Sequence, residues 1–165
     1  MLYRITALCS EAVLYFVESS ETGACPLCSE LLCRRSWRGR VMIDDSGAKI
    51  SFLIRRLWCV RCERIHHELP DIFVPYKRHS AETIEKILGG DTKSVPCENR
   101  TISRILLWWQ VVMPYFINIL KSLSQKLGFS IKPTPVFKEI VRAVANSGNW
   151  IFAHFICTRS AVCPL

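Results

Sequence analysis

Cys25-Pro26-Leu27-Cys28 and Cys59-Val60-Arg61-Cys62 are the two stretches on which the reading of this chain turns. In each Cys-x-x-Cys pair both sulfurs can sit on one tight turn and face the same point. Two such turns complete a tetrahedral thiolate shell of the kind that holds a structural zinc ion. Thirty residues separate the pairs, room for a β-hairpin out and back. This interval exceeds the commonest ribbon spacing of about 15–20 residues. The expected ligands are Cys25, Cys28, Cys59 and Cys62, and the expected cofactor is structural Zn2+. The chain has nine cysteines, and Cys9, Cys33, Cys97, Cys157 and Cys163 read as ordinary thiols. An odd cysteine count, with no apolar stretch resembling a secretory signal after Met1, points to a reducing compartment and a cytoplasmic protein.

Working outward, the segment between the pairs is strongly basic. Arg34, Arg35, Arg38 and Arg40 come first, then Lys49, Arg55 and Arg56, against only Glu30, Asp44 and Asp45. Asp44-Asp45-Ser46-Gly47 has turn chemistry and separates two β-prone runs, 37–43 and 48–58. Guanidinium groups on such a hairpin can grip phosphates bidentately. The formal net charge of +8, lowered by two if four thiolates hold a divalent ion, favours a polyanionic partner. His66 and His67 follow the second pair at a spacing that allows ligation. Four cysteines already fill the shell, so the histidines are expected on a strand or beside the ligands.

Beyond them runs Leu69-Pro70-Asp71-Ile72-Phe73-Val74-Pro75-Tyr76-Lys77-Arg78. Its two prolines hold it extended as a strap, with Lys77 and Arg78 as further phosphate contacts. From Cys25 to Leu88 the chain resembles an uncharacterised bacterial domain-of-unknown-function family with the same order of motifs: Cys-Pro-x-Cys, Arg-Arg-x-x-Cys-x-x-Cys, then Leu-Pro-Asp-x-x-x-Pro-Tyr-Lys-Arg. It is also similar to the N-terminal region of insertion-sequence transposases, where a zinc ribbon precedes a helix-turn-helix. That resemblance implies a DNA partner in a mobile-element or regulatory setting. The sequence departs from the usual pattern at Ser29 and Glu63, which follow the cysteine turns where glycine is frequent.

The remainder is helical in period. Ser80 is the expected N-cap of a helix that Gly89-Gly90 ends. Thr101 is expected to cap a second helix, and the apolar positions from Ile102 to Leu127 recur at steps of three and four. Pro114 should break this run into helices near 101–112 and 114–127, with Gly128 as the stop. Pro135 should open another helix to about Asn146, and 151–157 a short last one. In a helix-turn-helix reading, Asn99, Arg100, Ser103 and Arg104 would present side chains to base edges.

No membrane partner is expected, because the most apolar run, 105–120, is short of the roughly 20 residues a span needs. No enzymatic activity is expected either, since Glu139 is the one carboxylate after Glu98 and no nucleotide-binding or nucleophile motif occurs. The expected fold class is α+β: an N-terminal segment 1–24, a four-cysteine zinc ribbon with its strap at 25–79, a basic helical module at 80–157 and a tail at 158–165. The expected function is zinc-stabilised nucleic-acid binding, with double-stranded DNA favoured. The alternative is a module that docks a transposase, recombinase or regulatory partner.

Overall fold

The computed structural model describes residues 14–16, 23–128, 136–150 and 155–158. In chain order the elements are β1 (Leu14–Phe16), β2 (Cys33–Ile43), β3 (Lys49–Cys59), β4 (Arg64–Pro70), α1 (Ala81–Leu88), α2 (Asn99–Leu127), α3 (Phe137–Asn146) and β5 (Phe155–Thr158). The fold is α+β, as the sequence implied. Strand β3 is the spine of a mixed sheet. It pairs antiparallel with β2 along almost its whole length, and on its other side with β1 in parallel and β4 in antiparallel.

On β3, Phe52 and Ile54 are buried in the core, and β2 adds Met42 near the hairpin tip. At the tip, Asp44 accepts hydrogen bonds at Oδ1 from the backbone N–H groups of Ser46 (2.9 Å) and Ala48 (2.8 Å). Gly47 completes the reversal at φ 88°, a conformation that other residues enter at a cost.

The neighbouring Asp45 ties this tip to α1. Its Oδ1 accepts from the hydroxyls of Ser80 (2.7 Å) and Thr83 (2.8 Å), and its Oδ2 pairs with Lys86 Nζ at 3.1 Å. Ser80 is the N-cap, as expected, with Oγ accepting from Thr83 N at 3.0 Å. One carboxylate therefore secures the hairpin tip, the helix cap and the first turns of α1. The strap reaches this point along the edge of β2, where Ile43 N donates to Arg78 O and Ser80 N donates to Ile43 O.

Helix α2 corrects two expectations. It starts at Asn99 with Glu98 as a cap that makes no side-chain bond, so Thr101 lies inside it. It continues through Pro114 without a break. Pro114 and Gln110, whose carbonyl would have received the missing N–H, both face solvent, so water can satisfy that carbonyl. Val112, Phe116, Ile119 and Leu120 are buried around the proline and hold both halves against the core. Gly128 ends the helix at φ 70°, as expected. As one helix, α2 is long and apolar enough to cross a membrane by length and composition, with 28% of its apolar window buried in this fold.

The third correction concerns the end of the chain: residues 155–158 form β5, parallel to β4, where a short helix was expected. β-branched and aromatic residues there complete a sheet edge that local helical periodicity did not reveal. Pro135 lies outside the described residues, and α3 begins at Phe137. The sheet and the helices share one apolar cluster, from Phe52 and Phe73 (centroids 4.9 Å apart) to Phe116 and Trp150 (5.0 Å).

Burial opposes ionisation of Asp45, but the hydrogen bonds from Ser80, Thr83 and Lys86 prevail and lower its pKa from 3.8 to about 2. Because the folded carboxyl has the lower pKa, its contribution is full above 3.8 and disappears as pH falls toward about 2. Asp45→Asn should cost about 1 kcal/mol at neutral pH and flatten the acid limb of the stability curve in that window. Urea unfolding at a series of pH values reads both effects.

Candidate metal centre and cationic face

The cysteine pairs meet at the end of the sheet remote from the Asp45 tip. Cys25 and Cys28 lie on the turn before β2, Cys59 closes β3, and Cys62 sits on the turn into β4. Pairing of Cys33 with Trp58 in the ladder carries the first turn alongside the second. The four sulfurs all lie within 4.8 Å of one another, with Cys28 to Cys59 at 3.5 Å and Cys25 to Cys62 at 4.0 Å. A tetrahedron with metal–sulfur bonds of about 2.3 Å has sulfurs roughly 3.8 Å apart, so the cluster can hold a metal ion. Cys25 and Cys59 are buried, Cys28 and Cys62 half-buried.

The backbone around the cluster is built for it. Ser29 N donates to Cys25 O at 2.8 Å, and Cys62 N donates to Cys59 Sγ at 3.4 Å. Ser29 and Glu63 adopt φ 61° and 53°, the left-handed positions at which the sequence lacks the usual glycine. Each turn thus carries strain of about 1–2 kcal/mol, which the closed cluster must offset. Gly148, after α3, packs on the first turn: a Cβ there would meet Leu27 Cδ2 at 3.0 Å.

Without an ion the sulfurs do not ionise together. The Glu30 backbone hydrogen bond, with help from neighbouring sulfurs, lowers Cys28 to about 7. Hydrogen bonding with Cys28, then burial, pushes Cys62 up to about 12, and burial raises Cys59. A divalent cation relieves this conflict by displacing the protons, so its affinity must fall in acid. His66 is fully buried on β4 with Nε2 3.5 Å from Cys25 Sγ, beside the cluster. His67 lies on the adjacent position and faces the arginines, with Nε2 3.3 Å from Arg38 Nη1. Of the other cysteines, Cys33 is exposed and Cys97 touches His79 Nδ1 at 3.4 Å. Cys9 and Cys163 lie outside the described residues.

The cationic residues singled out in the sequence fall into distinct settings. Arg34 and Arg35 are exposed on β2, where a bulge between Arg34 and Ser36 interrupts the register. Both lie near tryptophan rings, Arg35 over Trp58 at 4.6 Å and Arg34 near Trp37 at 6.0 Å. Arg55 is committed to Glu68, which is almost fully buried: Nε pairs with Oε2, and Nη2 donates to Oε1 at 2.7 Å. Arg40 is turned inward, donating from Nη2 to Val74 O (2.7 Å) and Lys77 O (2.9 Å). Lys77 lies over the Trp108 ring at 4.0 Å. Arg38 and Arg78 are exposed at the mouth of the groove between β2 and the strap, and Arg56 is half-buried on β3. Asn99, Arg100, Ser103 and Arg104 are exposed together on the first turns of α2.

Sequence reasoning did not find the Asp45 junction, the Arg55–Glu68 pair or the inward role of Arg40. Each depends on which strand face a residue occupies, and the imperfect alternation of β3 hides that.

These features define a small α+β domain with a tetracysteine cluster at the base of an arginine-rich hairpin. The family model described as Domain of unknown function (DUF6431) matches residues 25–105, a span that holds the cluster, the hairpin, the strap and the start of α2. That span is similar to this uncharacterised family. No curated protein and no solved structure matches the chain.

Replacing Cys59 with Ser should abolish the capacity of the cluster to hold a metal ion, read by native mass spectrometry after metal addition, and lower the melting temperature. Cys33→Ser, outside the cluster, should leave both unchanged.

Proposed function

We propose that the protein is a zinc-stabilised nucleic-acid-binding protein whose preferred ligand is double-stranded DNA, in a mobile-element or regulatory setting. The observation that carries this reading is the placement of exposed Arg34, Arg35 and Arg38 along β2, an edge strand whose base is the four-sulfur cluster. An all-cysteine tetrahedral donor set suits zinc, which needs no open coordination position when its task is structural. Zinc would hold the strained turns closed and so hold the hairpin as a rigid carrier of cations. Phosphate contacts by these arginines would position the protein without reading sequence. Asn99, Arg100, Ser103 and Arg104 would supply base contacts from the start of α2. Catalysis is not part of this reading.

Elemental analysis of the purified protein should find zinc at one per chain. Gel-shift titration against salt should give a steep, linear loss of log affinity. Each phosphate neutralised adds about 0.9 to the slope on duplex DNA. The Arg34→Ala, Arg35→Ala double variant should reduce the slope by roughly two and weaken binding to all sequences alike. A salt-independent affinity would sink the reading.

A second reading, docking of a transposase, recombinase or regulatory protein, is favoured by one observation. Leu107, Val111 and Tyr115, spaced four apart on α2, are 62%, 70% and 41% exposed. Because Leu107 and Val111 contribute little to the core, replacing both with Ser should change stability by no more than about 1 kcal/mol. Under the first reading DNA affinity is also unchanged. If the double variant instead abolishes DNA binding at unchanged melting temperature, α2 rather than β2 carries the interaction.

A further inference from the structure

Beside the edge strand lies a recess of about 220 Å³ between β2 and the strap, with Arg38, Arg40, Ile54, His67, Tyr76 and Arg78 in its walls. The neighbouring row of the sheet is also cationic. Ser36, Arg56 and His67 form one row across β2, β3 and β4, and in that row Ser36 Oγ and Arg56 Nε are buried without a hydrogen-bond partner. Arg38, Arg40, Arg56, Lys77 and Arg78 make no ion pair with a carboxylate among the described residues. Burial, then the charges of Arg38, Arg56 and Arg40, lower His67 to about 4. The imidazole is therefore neutral at pH 7. Arg38 donates to its Nε2, so its own proton sits on Nδ1. Cations gathered in a concave site without a countercharge raise the local potential and draw an anion.

The rim carries a second, independent feature. Lys77 N donates to Val74 O at 3.0 Å, which closes a turn with Pro75 in second place and Tyr76 in third at φ 61°. This is the pattern of a type II turn, whose third residue is normally Gly or Asn. Tyrosine there is strained, yet its ring stands 61% exposed at the mouth of the recess. Arg40 holds the turn in place by bonding the carbonyls on both sides of it, Val74 and Lys77. The strain thus presents an aromatic face beside an anion site.

We propose that the recess seats one phosphate of a nucleic-acid strand, held by Arg38 and Arg78, while the Tyr76 ring stacks on the adjoining unpaired base. The proposal rests on the nucleic-acid reading and narrows it to a strand that offers an unstacked nucleotide, such as a single-stranded end. Arg40 is a positioning residue in this arrangement, and Arg56 supplies charge from the neighbouring row.

The test is isothermal calorimetry on the zinc-loaded full chain with three probes: a short single-stranded oligonucleotide, a blunt duplex and pyrophosphate. Tyr76→Gly removes the ring and relieves the positive φ, so its melting temperature should hold or rise while oligonucleotide affinity falls roughly tenfold. Duplex and pyrophosphate binding should be little changed by it. The Arg38→Ala, Arg78→Ala double variant should weaken oligonucleotide and pyrophosphate together. If wild type binds duplex and oligonucleotide but both variants bind them equally well, the seat is wrong and the broader nucleic-acid reading stands. Pyrophosphate binding with no affinity for either nucleic acid would assign the recess to a small phosphate compound and overturn both. Absence of binding to all three probes would also overturn both.

Discussion

Four sulfurs drawn within 4.8 Å of one another are the constraint on which the rest of this molecule depends. Two cysteine turns, each with a residue in the left-handed region, are not stable arrangements in isolation. They persist because the cluster closes them. Once closed, they fix where β2 begins, where β3 ends and where β4 departs, and hence the register of every arginine on the hairpin. The turn at Cys25–Cys28 in turn receives Gly148 from beyond α3, so the cluster end of the sheet also touches the helical half of the chain.

The opposite end of the hairpin is secured by different chemistry. Asp45 accepts from Ser80, Thr83 and Lys86, converting a flexible polar turn into the seat of α1. Between the two ends, the strap runs along β2 and is held there by Arg40. This explains why a basic segment need not be a uniform binding surface. Arg40 and Arg55 are consumed by carbonyls and by Glu68, whereas Arg34, Arg35, Arg38 and Arg78 remain exposed. A buried guanidinium must find acceptors or lose more than it gains, which is why Arg40 and Arg55 are held by carbonyls and a carboxylate.

Helix α2 shows how packing overrides a local signal. A proline at the centre of a helix costs about 3 kcal/mol or more. Here it stands on the solvent side, and the buried side chains around it contribute more than that loss: truncating a core Phe such as Phe116 to Ala typically costs 3–5 kcal/mol. The result is a single long helix with polar, basic side chains exposed on its first turns and an apolar exposed stripe at its middle.

The sequence by itself determined which four cysteines form the cluster, the hairpin with its Asp44–Gly47 turn, the Ser80 cap and the strained positions at Ser29 and Glu63. Each of these rests on residues close together in the chain, or on a spacing whose chemistry has few solutions. Tertiary structure alone decided the continuity of α2 through Pro114, the strand rather than helix at 155–158, and the division of the arginines between core and surface. Those outcomes depend on what a segment packs against. A proline's cost, a strand's partner and a guanidinium's acceptors are set by residues tens of positions away, which local periodicity does not record.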